Sequence, residues 1–132
     1  MNEILQPEGW SPPVGYANGV SAAGRQIFVA GQVGWNAASA FESDDFVAQV
    51  RQALMNVVAV LKSGGAEPGH LVSMTWYFTD KREYLSRLKE IGAVWREIVG
   101  RDYPAMAAVE VSALIEDRAK VEIQAIAVVP SQ

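Results

Sequence analysis

The sequence predicts an α+β fold of two layers, with elements in the order β-β-α-β-α-β-β over residues 1–132, and three patterns carry that prediction. Apolar residues recur at spacings of three and four from Asp44 to Leu61 and again from about Arg82 to Val99, the stripe of an amphipathic helix. Apolar and polar residues alternate from Leu71 to Thr79, the period of a half-buried strand. Two more β-type runs close the chain on either side of the charged turn Glu116-Asp117-Arg118. A largely antiparallel sheet with both helices on one face satisfies all three patterns.

Taken in order, Gln6 to Pro13 carries Pro7, Gly9, Pro12 and Pro13 and is expected to be irregular. Tyr16 to Val20 and Gln26 to Ala30 flank Ser21 to Arg25, whose Gly24 tolerates a positive φ, so the pair reads as a β-hairpin. Gly31 and Gly34 interrupt the pattern, and the chain is expected to loop as far as Ser43. Phe46, Val47, Val50, Leu54, Val57, Val58 and Leu61 form the first helical stripe, with Ser43 or Asp44 as N-cap and Gly64-Gly65 as the left-handed stop.

In the next strand Val72, Met74, Trp76 and Phe78 share one face, and Ser73, Thr75, Tyr77 and Thr79 the other. The second helix is capped by Thr79 or Asp80, ends at Gly100, and carries Tyr84, Leu85, Leu88, Ile91, Trp95, Ile98 and Val99 on its stripe. Beyond Pro104 two strands are expected, about Ala105 to Leu114 and Ala119 to Val129. In the last, Val121, Ile123, Ala125, Ala127 and Val129 face one way and Glu122, Gln124, Ile126 and Val128 the other. Two helices cover only one face of such a sheet, so the other face needs a cover, and an oligomer is expected.

Composition narrows the function classes. With half its residues hydrophobic and a fifth charged, the chain can close one core and forms one domain. Zero cysteines exclude a disulfide, a thiol nucleophile and a thiolate zinc site. A net charge of −4 argues against a nucleic-acid partner. Arg82, Arg87, Lys89, Arg96 and Arg101 are interleaved with Glu83, Glu90, Glu97 and Asp102, the pattern of a solvated face with i,i+4 pairs. No run reaches membrane-spanning length, and Met1 to Pro7 lacks the basic and apolar parts of a secretory leader, so a cytoplasmic location is expected. His70, the single histidine, follows Glu67-Pro68-Gly69 and reads as a surface loop residue. Neither a cofactor nor a metal is expected.

Several short segments, in order and at consistent spacing, carry more. Gly15-Tyr16, Val29-Ala30-Gly31-Gln32-Val33, Tyr103-Pro104-Ala105-Met106-Ala107-Ala108-Val109-Glu110-Val111 and Val121-Glu122-Ile123-Gln124-Ala125-Ile126-Ala127 resemble the RidA/YjgF family across nearly the whole chain. The resemblance implies a chorismate-mutase-like fold and a homotrimer, with the sheets forming a central barrel and small-molecule ligands held in clefts between subunits. It also implies hydrolysis of enamines and imines such as 2-aminoacrylate to a 2-oxo acid and ammonia.

The charged residues that run this chemistry in the family are replaced here. The arginine directly after Pro-Ala, which holds a substrate carboxylate, becomes Met106, and a thioether offers no such contact. The glutamate of the last strand becomes Gln124, which can orient a water but cannot take its proton. A cysteine becomes Ala108, and an asparagine of the second helix falls on Gly92.

The candidate ligand-binding set is therefore Tyr16, Gly31, Trp35, Met106, Ala107, Ala108 and Gln124, with no catalytic residue assigned. Tyr16 offers a hydroxyl, Gly31 and Ala107-Ala108 offer backbone groups, and Trp35, like Trp10, offers a ring to stack or to pack over a sheet edge. Glu110 and Glu122 remain as strand carboxylates, expected to pair with Lys120 or Arg118. Replacement of both charges predicts a more apolar cleft, hence an altered ligand or a binding protein without turnover.

Overall fold

Residues 2–131 are described by a computed structural model, and the α+β expectation holds in it. The strands are β1 (Glu3–Leu5), β2 (Gly19–Ser21), β3 (Arg25–Val33), β4 (Leu71–Phe78), β5 (Ala105–Glu110) and β6 (Val121–Val129). The helices are α1 (Phe46–Ser63), α2 (Lys81–Ser86) and α3 (Leu88–Ile98), with a 3-10 turn at Pro68–His70. Four strands form the main sheet in the order β3-β6-β4-β5, antiparallel except for the β4–β5 pair. Among the described residues no helix is long and apolar enough to cross a membrane.

The predicted faces are the observed ones over most of both strands, except that an irregularity between Leu71 and Ser73 buries Leu71 in place of Val72, and Val128 is buried as well. Val121, Ile123, Ala125 and Ala127 of β6 and Met74, Trp76 and Phe78 of β4 are buried beneath Phe46, Val50, Leu54, Val57 and Leu61 of α1. Each of the valine, leucine, isoleucine, methionine and phenylalanine side chains among them contributes about 1.5–3 kcal/mol of hydrophobic stabilisation. A one-residue slip would turn the whole set outward, which holds β4 and β6 in register. Gly34 lets α1 approach: a β-carbon there would lie 2.7 Å from the Gln49 backbone. The N-cap of α1 is Asp45, one residue beyond the expected pair, and it accepts the Ala48 N–H. Gly65, at φ +78°, supplies the left-handed stop.

Several expectations are corrected. The Tyr16–Ala30 hairpin does not form: β2 pairs with β1, which sequence reasoning missed, and β3 pairs with β6. The close approach of Gly24 to β6 redirects the chain, since a β-carbon there would stand 2.1 Å from the Val129 carbonyl oxygen. Gly31 lies inside β3, at a bulge between Val29 and Gln32, rather than ending the strand. The second helix is broken at Arg87 (φ −117°, ψ 17°), whose guanidinium holds Glu90 and reaches Asp45. Strand β5 stops at Glu110, and the chain to Ala119 is irregular. Glu110 accepts the Lys81 N–H at the start of α2, while Arg118 pairs with Asp44, so neither expected partner of Glu110 is used.

The sheet face away from the helices is open within one chain. Thr75 lies between Gln124 and Ala107 across it, and Tyr77 between Glu122 and Val109. Phe28 on β3 is 68% exposed and Val109 on β5 is 41% exposed.

Candidate functional site

A cavity of about 530 Å³ opens beside β5, between that edge strand, α2, α3 and the segment Val14-Gly15-Tyr16. The parallel register sets Met106 beside Met74 and Ala108 beside Trp76, so both face the helical layer. The layer is thin here because Gly92 of α3 carries no side chain. At the outer edge of β5, Ala17 bridges to Ala105 and donates to the Pro104 carbonyl at 3.0 Å. That anchor and the left-handed Gly15 (φ +79°) hold Tyr16 at the cavity mouth, 42% exposed.

Aromatic rings make most of the wall. Tyr84 stacks on Phe78 at 4.4 Å between centroids and meets Trp76 edge-on at 6.4 Å. Trp95 stacks on Tyr103 at 5.3 Å, and its indole N–H donates to the Asp102 carbonyl. Trp76 is buried, and among the described residues its indole N–H has no acceptor. Burial pushes the Tyr84 hydroxyl pKa up, so it stays a neutral phenol at ordinary pH. Among the described residues no carboxylate and no imidazole line the cavity, and Arg96 is its single charged lining residue. The arrangement suits a small, flat ligand with hydrogen-bond acceptors, held among rings.

Tyr16, Met106, Ala107 and Ala108 are thus brought together, with Gly92 beside them. Gly31, Trp35 and Gln124 do not line this cavity. Gly31 and Gln124 lie by the open sheet face, where a β-carbon on Gly31 would meet the Glu122 carboxylate at 2.2 Å. Trp35 packs against Phe41, with ring centroids 5.8 Å apart. Sequence reasoning placed Trp76, Tyr84 and Trp95 in the core stripe and missed their second role as cavity wall. It also placed Arg96 on a solvated face of paired charges. Glycine four residues before it, tryptophan just before it and no acid at three or four positions away were the available signal.

A wider groove of about 900 Å³ lies on the other side of Tyr16, walled by Trp10, prolines 12, 13, 68, 104 and 130, and bordered by His70 and Arg101. His70 sits in the 3-10 turn, its Nδ1 accepting the Glu67 N–H at 3.0 Å. Among the described residues no cluster of three or more acidic, histidine or cysteine side chains is placed to hold a metal.

The chain matches the sequence profile described as Endoribonuclease L-PSP over residues 9–129. It is 31% identical over 128 residues to a RutC family protein of Pyrococcus horikoshii, covering 96% of this chain and 98% of the relative. It is 32% identical over 129 residues to the 2-iminobutanoate/2-iminopropanoate deaminase of Escherichia coli K12, covering 97% and 98%. Among solved structures, a Rid family protein of unknown function from Yersinia pestis superposes with a TM-score of 0.84 at 30% identity, covering 97% of this chain and 98% of that one.

Proposed function

The chain belongs to the Endoribonuclease L-PSP family, which includes the RidA/YjgF proteins, and from that premise we propose that it hydrolyses small enamine or imine metabolites with a specificity altered from its deaminase relatives. The observation that carries this reading is the cavity beside β5, where Tyr16, Met106, Ala107 and Ala108 converge in an aromatic enclosure. Water adds to the C=N carbon, a proton reaches the nitrogen, and ammonia leaves as the 2-oxo acid forms. A cavity without a carboxylate favours a substrate that arrives as the protonated iminium, which attracts water without a strong base. Tyr16 positions the ligand, and backbone groups on the outer edge of β5 near Ala107-Ala108 orient the water.

The open sheet face, with Phe28 and Val109 exposed on it, is where we place two further copies of the chain, in a homotrimer. Gly31, Trp35 and Gln124 then contribute to the clefts from a neighbouring copy, in keeping with their positions outside this chain's own cavity. Light scattering at micromolar concentration tests the assembly, and a monomer overturns it.

One observation favours a second reading. Met106 and Gln124, together with a cavity free of any titratable base, also fit a metabolite-binding protein without turnover. The deciding experiment generates 2-aminoacrylate in situ with a serine dehydratase and follows pyruvate formation with wild type, Met106→Arg and the Met106→Arg/Gln124→Glu pair. Acceleration by wild type supports the hydrolase. Acceleration only by the restored variants shows a competent scaffold serving a different ligand. Neither reading calls on nucleic acid, a membrane or a cofactor, and a cytoplasmic location suits both.

A further inference from the structure

The family's arginine is absent from β5, yet the cavity is not without a cation, because Arg96 lines it from α3. Arg96 is exposed, and among the described residues its guanidinium makes no hydrogen bond or ion pair. Two neighbouring arginines are engaged, Arg87 with Glu90 and Asp45 and Arg51 with Glu97, donating from Nη2 at 3.0 Å, whereas Arg82 and Arg101 lie outside this cavity. Its own helix offers Arg96 nothing, for positions three and four away are Gly92, Ala93, Val99 and Gly100. Gly92 leaves the space in which the guanidinium lies, since a β-carbon there would stand 3.4 Å from Nη1. Glycine within a helix costs about 1 kcal/mol against alanine, and here the helix carries that cost beside the cavity.

A second donor lacks a partner in the facing, sheet-side wall. Trp76 is 2% exposed, and its indole N–H has no acceptor among the described residues. A buried N–H without an acceptor is rare and is stabilised by any ligand oxygen that reaches it. Trp76 lies beside Ala108 in the strand register, and Arg96 directly follows Trp95, whose ring packs 6.3 Å from that of Trp76.

We infer that Arg96, projecting from α3 across Gly92, is the specificity-determining anion anchor of this cavity, with the Trp76 indole N–H as a second donor to a small carboxylate ligand. The family role of the strand arginine has moved to a helix. A carboxylate held from α3 approaches β5 from the opposite wall, leaving Met106 to pack against the uncharged part of the ligand. This rests on the reading of the cavity as the ligand site, but not on turnover.

The test titrates pyruvate, and separately its uncharged methyl ester, into the isotope-labelled full chain while the tryptophan indole N–H resonances are followed by NMR. Trp76→Phe assigns the resonance. Saturable movement of the Trp76 signal is expected with pyruvate and not with the ester. Loss of one charge-assisted contact predicts that Arg96→Met weakens pyruvate by about tenfold or more, and Arg96→Lys by less. Unchanged melting of Arg96→Met is the control for folding. Equal binding of acid and ester, no saturable binding, or an unaffected Arg96→Met overturns the anchor. The dehydratase-coupled assay separates the two ideas. Arg96-dependent binding without turnover keeps the anchor and discards the hydrolase. Turnover with Arg96-independent binding does the reverse.

Discussion

The side-chain carbonyl of Gln49 accepts the backbone N–H of Lys120 at 2.8 Å, joining the first turn of α1 to the approach of β6. The same amide donates to the carbonyls of Ser43 and Arg118, both at 3.0 Å, and the residue is 1% exposed. One buried side chain thereby satisfies three backbone groups from two loops. Gln49→Leu keeps the volume and leaves all three without a partner, so a loss of about 2–4 kcal/mol is expected in urea unfolding. Gln49→Glu sets a carboxylate against two carbonyl oxygens, and its destabilisation should shrink as pH falls and the acid protonates.

Two glycines separate backbone collisions from side-chain ones. A β-carbon on Gly34 meets the Gln49 backbone at 2.7 Å, with helix α1 behind it, and nothing there can rotate away. A β-carbon on Gly31 meets only the end of the Glu122 side chain. Gly34→Ala should therefore cost about 1–3 kcal/mol by overpacking, and Gly31→Ala should cost less in thermal unfolding.

Acid should loosen the junction of α1 and α3. The Asp45 carboxyl is held below its usual value of 3.8, first by the Ala48 N–H and then by Arg87. Glu90, paired with Arg87, and Glu97, paired with Arg51, are likewise held below 4.5. A lowered folded-state pKa means stability that is complete above the ordinary value and lost as pH falls through the folded one. The stability of wild type should thus decline below about pH 4.5, as these carboxylates protonate. Asp45→Asn retains a capping oxygen and removes one titrating group, so its decline should be shallower in unfolding series across that range.

How much of this was legible depended on the range of the signal. The long stripe of α1 and the alternation of β4 and β6 are local, and they identified the helices and the buried sheet face correctly. The partner of β3 is not local. It was decided by Gly24 closing on Val129, more than a hundred residues away in the chain. The break at Arg87 interrupts an unbroken apolar pattern, so periodicity alone runs through it. In the site, Tyr16 and Met106 to Ala108 stood out because short motifs mark them. Arg96 and Trp76 did not, since a charge on a helix and an aromatic on a buried strand have ordinary roles. Only the placement of α3 over β5 brings the two to one cavity.

Gly92 separates stability from binding. Its φ is unremarkable and a β-carbon meets nothing closer than the Arg96 guanidinium at 3.4 Å, so a side chain fits the helix backbone without strain. Gly92→Ala should raise stability by about 0.5–1 kcal/mol through helix propensity alone. Gly92→Leu should gain nearly as much while filling the cavity in front of Met106 and Arg96. If this cavity holds the ligand, melting temperature rises in both variants and pyruvate binding disappears in the leucine one. Binding that survives Gly92→Leu in a well-folded protein would move the ligand elsewhere, with the wider groove beyond Tyr16 as the next place to look.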